Sequence, residues 1–279
     1  MTPRCVDPPG LSFTWLGTAG FEVRGPGLDL IFDPYISRPP GARPVAFRAF
    51  EDFAAARNIL LGHGHFDHAV DVPRLLDVAP GATVYASRGV IEVLARHGVD
   101  RSRTRSLEPG ETFNLGSARV TALPTRHTRF DIPLVLRTLA RVRPRHIRWL
   151  WPLKDWPCAG ALSFRVETAH GSFMHMSTCE PTEAELDRLD QDPVDLLLIP
   201  LQGHTHIEEL AFRIVDRLSP GAVLVHHQDD FAPPISQEVD VEPFRLLMKK
   251  NRPGIPIHTI NHNETMTFTF APRAKESVQ

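Results

Sequence analysis

A mixed α/β (α+β) fold is predicted by three features of the sequence. Apolar runs of strand length recur along the chain, stretches with helical spacing separate the later ones, and several runs end on histidine. At 279 residues, 42% hydrophobic and 23% charged, the chain is long enough for one large layered domain. That domain is expected over residues 11–270, between a short extension at 1–10 and a tail at 271–279.

The first strands form a meander: Ser12 to Leu16, Phe21 to Val23 and Leu28 to Phe32, punctuated by Gly17-Thr18-Ala19-Gly20 and Gly25-Pro26-Gly27. Ile59 to Gly62 makes a fourth strand, after which Val72 to Val78 has helical spacing. Thr83 to Ala86 and Val90 to His97 continue the alternation of strand and helix. Residues 103–127 return to strand character, with Ala118 to Leu123 running out into Pro124-Thr125-Arg126-His127. Two strands within 161–177 flank the turn Ala169-His170-Gly171-Ser172. A helix over Glu183 to Leu189 starts behind the cap candidate Thr182, and Asp195 to Pro200 is a near-continuous apolar strand. A helix from about Ile207 to Leu218 precedes the strand Ala222 to His227. A last helix near Val241 to Asn251 and strands Pro256 to Ile260 and Thr265 to Phe270 close the fold, and the tail after Pro272 is expected to be disordered.

Residues 129–158 interrupt this pattern. Arg129, Arg137, Arg141, Arg143, Arg145 and Arg148 interleave with leucines and with Trp149, Trp151 and Trp156. Three readings stand. One is a helical excursion with solvated arginines and packed aromatics. Another is a lid whose aromatic wall and guanidiniums hold an anionic substrate group, with Arg148 and Trp151 as candidate contacts. The third is a weak contact with a membrane surface.

The densest chemistry is the run His63-Gly64-His65-Phe66-Asp67-His68, directly after an apolar strand. A lone histidine is usually solvated or hydrogen-bonded. Three imidazoles and a carboxylate within six positions form a metal-site pattern suited to zinc and its first-row neighbours. Gly62 and Gly64 are expected to let the backbone turn so that neighbouring side chains converge. His127 and the pair His226-His227 also sit at strand ends, which suggests one rim where the ligands meet; alternation sends His226 and His227 to opposite faces. His204 and His206 are candidate substrate contacts, against a reading in which Thr205 caps the helix and both are solvated.

A net charge of −2 gives no argument for nucleic acid as a partner. No signal-peptide core occurs in Met1 to Gly10, and no run of about 18 apolar residues occurs anywhere, so a soluble cytoplasmic protein is expected. Cys5, Cys158 and Cys179 are too few and too scattered for a disulfide framework and are expected to be reduced.

The histidine run matches the H-x-H-x-D-H signature of the metallo-β-lactamase superfamily, which the chain resembles over roughly residues 11–270. Trp15-Leu16-Gly17-Thr18-Ala19-Gly20-Phe21 with Phe32-Asp33-Pro34-Tyr35, and His227-Gln228-Asp229-Asp230-Phe231, look like its branch of ascorbate-6-phosphate lactonase-like hydrolases. The resemblance implies a four-layer αββα sandwich with two metals, usually zinc, at one edge between the sheets. His63, His65 and His127 would hold the first; Asp67, His68 and His227 would hold the second, with Asp67 also the candidate catalytic carboxylate. A metal-bound hydroxide would be the nucleophile, because bound water can reach a pKa of about 7. Asp33 is implied to orient a ligand imidazole; its plain alternative is a turn-capping aspartate before Pro34.

The chain departs from the family at one corner. An aspartate bridging the metals normally follows the strand occupied here by Phe173 to Met176, where this chain has Ser177-Thr178-Cys179-Glu180. Thr178 takes the aligned place, a Cys179 thiolate or the longer Glu180 are candidate substitutes, and a buried apolar Cys179 is the bland alternative. A weaker or asymmetric second site is therefore expected, with one or two ions of zinc, manganese or iron(II) per chain. The leading expectation is a hydrolase of a small ester, lactone or phosphodiester, with an anionic group on the substrate as one option. A sensor that keeps the fold without turnover and a nuclease of the same fold are the alternatives.

Overall fold

A computed structural model of the chain describes residues 10–190 and 193–270. Most of the expected N-terminal extension, with Cys5, and the expected tail at 271–279 lie outside the described residues. The meander forms β1 (Leu11–Gly17), β2 (Gly20–Gly25) and β3 (Leu28–Phe32). β4 (Asn58–Leu60), β5 (Thr83–Ser87) and β6 (Thr104–Leu107) extend it in parallel. The helices between them are α1 (Phe66–Ala69), α2 (Val72–Val78) and α3 (Arg88–Arg96). The single strand-like region expected over 103–127 divides into β6, β7 (Thr112–Leu115) and β8 (Ala118–Thr125).

The excursion is helical, as α4 (Ile132–Arg141), α5 (Pro144–Leu150) and a 3-10 turn over Trp151–Asp155. Beyond it come β9 (Ala161–Thr168), β10 (Gly171–Met176), α6 (Glu183–Leu189), β11 (Leu196–Pro200) and α7 (Ile207–Leu218). β12 (Ala222–His226), α8 (Glu242–Asn251), β13 (Ile257–Thr259) and β14 (Thr265–Phe268) follow. Thr182 caps α6 through a reciprocal box, its hydroxyl accepting from Glu185 N at 3.2 Å while Glu185 Oε2 accepts from Thr182 N at 2.7 Å.

Two seven-stranded sheets result, in the orders β14-β1-β2-β3-β4-β5-β6 and β13-β12-β11-β10-β9-β8-β7. Strand alternation sorts the side chains into layers. From β10, β11 and β12, Phe173, Leu196, Leu198 and Leu224 point between the sheets, where they meet Phe13, Phe21 and Phe32. The intervening Met174, Leu197, Val223 and Val225 point outward onto α6, α7 and α8. The other sheet buries Ile31, Ile59 and Val84 against α2 and α3. Apolar demand on both faces is why these strands read as continuous apolar runs. The four layers are helix, sheet, sheet, helix.

β8 and β10 are both antiparallel to β9, and β10, β11 and β12 are mutually parallel. The chain therefore leaves β8, β10, β11 and β12 at the same sheet edge, and β3, β4 and β5 bring their ends to one edge of the partner sheet. Chain segments released there carry the histidines.

Candidate metal centre

The motif begins three residues after β4 ends at Leu60. His63, Gly64 and His65 cross the open edge, and a single turn of helix, α1, starts at Phe66 within the motif. That turn is absent from the sequence expectation, because four residues are too few to show a helical period. It places Asp67 and His68 one after the other on a tight backbone. Gly62 and Gly64 serve by closeness. A Cβ at Gly62 would stand 1.9 Å from Ser177 Oγ, and one at Gly64 would stand 2.5 Å from the Pro157 carbonyl. Neither has a positive φ, so the reason for these glycines is packing against β10 and the excursion rather than a special turn.

The donor atoms of His63, His65 and His127 lie within 4.8 Å of one another, and so do those of Asp67, His68 and His227. The two groups are adjacent: the His63 and His68 ring centroids are 3.8 Å apart. Five of the six expected ligands have a close polar neighbour. His127 donates from Nδ1 to the Thr128 carbonyl at 2.7 Å, which leaves Nε2 as its lone-pair donor. Ser177 Oγ lies 3.3 Å from His63 Nδ1. Asp33 Oδ2 lies 3.3 Å from His68 Nδ1, while Asp33 Oδ1 accepts from Gly62 N at 2.7 Å. Asp33 thus ties the motif's first residues to its last imidazole. Asp67 Oδ2 stands 3.4 Å from His227 Nε2 and 3.6 Å from His68 Nε2.

The electrostatics suit a cation. Burial, and then the neighbouring imidazoles, hold His63 far below the ordinary imidazole range and lower His127 to about 4. Burial also lowers His65. Burial alone would raise Asp67, but His68 and His227 outweigh it and hold its carboxyl well below the usual range. His68 goes the other way: burial lowers it, but Asp67 and Asp33 outweigh that and raise it. One group offers three neutral imidazoles, the other two imidazoles and a carboxylate, and His227 Nδ1 is buried without a partner. These donors fit a first-row divalent ion such as zinc.

Backbone strain concentrates here. His227, Asp33 and Thr18 have φ of 58°, 40° and 54°, a left-handed conformation that costs non-glycine residues on the order of 1–3 kcal/mol each. The Thr18 carbonyl accepts from His227 N at 2.9 Å. Asp229 in turn accepts from Thr18 N at 3.0 Å, and the buried Arg38 donates to Thr18 Oγ1 at 2.8 Å. This clamp turns His227 out of β12 toward Asp67. Arg38 gives no sequence signal, lying in a loop among prolines.

His226 points between the sheets, the face opposite His227 that strand alternation gives it, and stacks on His175 at 5.3 Å. Several expected site residues stand elsewhere. Cys179 is buried among Met176, Leu186 and Leu189 with its thiol pushed up by burial, which corrects the thiolate reading. Glu180 pairs with Arg129 at 2.6 Å, away from the two groups. Thr178 faces the cavity, but its hydroxyl accepts from Thr128 N at 2.7 Å and donates to the Arg126 carbonyl at 3.2 Å.

The six candidate ligands line a cavity of about 820 Å³. Leu134, Val135 and Leu139 of α4 and Ile207 and Ile235 across from them give it apolar walls. His204 lines it, but His206 does not and is exposed. Arg148 and Trp151 are likewise not among its lining residues, because α5 and the following turn carry them outward; the excursion reaches the cavity through α4, Leu153, Lys154 and Trp156 instead. Among the described residues, no helix is long and apolar enough to cross a membrane.

Comparison with known proteins agrees with this geometry. The beta-lactamase superfamily domain matches residues 29–228. A protein of Carboxydothermus hydrogenoformans described as a metal-dependent hydrolase is 27% identical over 266 residues, 92% of this chain and all of that one. A Brucella ovis protein with the same description is 33% identical over 102 residues, 37% of this chain; the chain spans 40% of the length of that relative. Among solved structures, a metallo hydrolase from Ignicoccus hospitalis superposes with a TM-score of 0.69 at 18% identity, covering 94% of this chain and 99% of its own. An isothiocyanate hydrolase from Delia radicum gut bacteria superposes with a TM-score of 0.62 at 13% identity, covering 93% and 100%. With the four-layer sandwich, the histidine motif and this match over most of its length, the chain belongs to the metallo-β-lactamase superfamily.

Proposed function

We propose that the chain is a metal-dependent hydrolase acting on an ester, lactone or phosphodiester with an apolar body. The observation that carries this reading is the convergence of two three-donor groups on one cavity with apolar walls. His63, His65 and His127 would hold one ion, and Asp67, His68 and His227 a second, with zinc the metal these donors suit best. When bound, such a metal supplies Lewis acidity and activates water near neutral pH.

The chain's own residues do the rest. Asp33 and the Thr128 carbonyl hold the His68 and His127 rings in place. Phe231 packs edge-on to His227, with ring centroids 5.0 Å apart, and lines the cavity beside it. Leu134, Val135 and Leu139 offer an apolar wall to the substrate body. Thr178 takes the place that the family resemblance assigns to a bridging carboxylate. Its hydroxyl is already committed to backbone partners, which favours unequal affinity at the two groups.

Metal content by mass spectrometry, paired with a screen of p-nitrophenyl esters, lactones and phosphodiesters, tests the reading. Bound metal with turnover that disappears in His63→Ala is the expected result. The committed Thr178 hydroxyl also gives the sensor reading its observation: metal and specific ligand binding without turnover of any of these substrates would favour it.

A further inference from the structure

We propose that the outer face of the 129–158 excursion docks on an anionic phospholipid surface. On α4, Ile132, Leu136 and Leu139 fall at i, i+4 and i+7 and form one stripe, and they are 75%, 62% and 62% exposed. A surface helix normally turns such a stripe inward, yet no residue of α4 or α5 is buried. Trp151 continues the apolar face at 64% exposure, with the Lys154 ammonium 3.9 Å above its ring.

Charge decides what covers this face. Between Ile132 and Lys154 the sequence places Arg137, Arg141, Arg143, Arg145, Arg148 and Lys154 and not one carboxylate, in a chain of net charge −2. A helix that is merely solvated usually interleaves acids with its bases. Arg137 and Arg141 turn to Thr205 Oγ1 and the Pro234 carbonyl, whereas Arg143, Arg145 and Arg148 are exposed. Exposed leucine, isoleucine and tryptophan beside cations that have no carboxylate partner among the described residues is the chemistry of a bilayer interface carrying anionic headgroups. A second copy of this chain is a poorer occupant, because a symmetric contact would set these arginines against one another. Leu139 both lines the cavity and belongs to the exposed stripe, so the docked face adjoins the cavity.

The test is cosedimentation of the full chain with vesicles of phosphatidylcholine alone or with about a third phosphatidylglycerol. Binding to the anionic vesicles is expected, with release as salt rises to roughly 0.5 M. The pair Ile132→Ser and Leu136→Ser should lower vesicle partition about tenfold, as should Arg143→Gln, Arg145→Gln and Arg148→Gln together. Metal content and turnover of a soluble p-nitrophenyl substrate should stay at the wild-type level in both, and retained metal content reports an intact fold even without turnover. Absence of binding by the wild type, or partition unchanged in both variants, overturns the proposal. So does a dimer in gel filtration that Ile132→Ser with Leu136→Ser abolishes, or retention of RNA but not of vesicles.

Discussion

The metal rim and the 129–158 excursion both set nitrogen-bearing side chains among aromatics, yet the fold treats them in opposite ways. At the rim, Asp33, Asp67, His63 and His68 are buried, and two strained backbone positions, Thr18 and His227, are bonded to each other and held through Arg38 and Asp229. In the excursion no residue of α4 or α5 is buried, and the attachments run along its edges: Arg129 to Glu180, Asp131 to the Thr205 amide and Arg141 to the Pro234 carbonyl. The difference separates chemistry from access. A donor set needs fixed geometry, which buried partners impose, whereas a cover over a cavity needs only a few contacts that can be exchanged with solvent.

Breaking the rim should cost most. His63→Ala or His227→Ala should lower kcat/KM by roughly a thousandfold or more, since each deletes a donor for the group that supplies several kcal/mol of transition-state stabilisation. An equal loss from an excursion variant would erase the contrast between the regions. Asp33→Ala comes next. It removes the carboxylate behind His68 and should weaken metal binding by about 10- to 100-fold in a chelator competition.

Replacing residues 133–155 by a short glycine-serine linker should raise KM about tenfold through loss of the apolar wall. Metal content should be retained; metal lost along with affinity would mean that the excursion is part of the rim. The smallest expected effect is the order in which acid strips metal. His63 and His127 are lowered, the latter to about 4, so protons do not compete for that group until well below neutral. His68 is raised and takes a proton earlier as pH falls. Metal should therefore leave the Asp67, His68 and His227 group first and the other group at lower pH, read by mass spectrometry of the desalted protein across the pH range. Simultaneous loss from both would sink this ordering.

Much of this was legible beforehand. The strand positions follow from apolar runs, and the candidate donors His63, His65, Asp67, His68, His127 and His227 from clustering, strand ends and family resemblance; the structure brings these six side chains together in two groups. Arg148, Trp151 and His206 were misplaced because helical rotation over a short segment decides which side chains face a cavity, and composition alone carries no rotation. Cys179 holds a place in the chain that suits a ligand, but three residues beyond the last strand position its side chain turns into the helix-covered core instead.

The sequence by itself determined the layered class, the order of strands and helices and where the candidate metal donors lie along the chain, because periodicity and donor type are local properties. The tertiary structure decided how those donors divide into two groups, that Asp33 stands behind His68, that Gly62 is required by Ser177, and that α4 leaves an apolar stripe uncovered. Each of those depends on distances between segments far apart in the chain, and only the packing of the two sheets sets them.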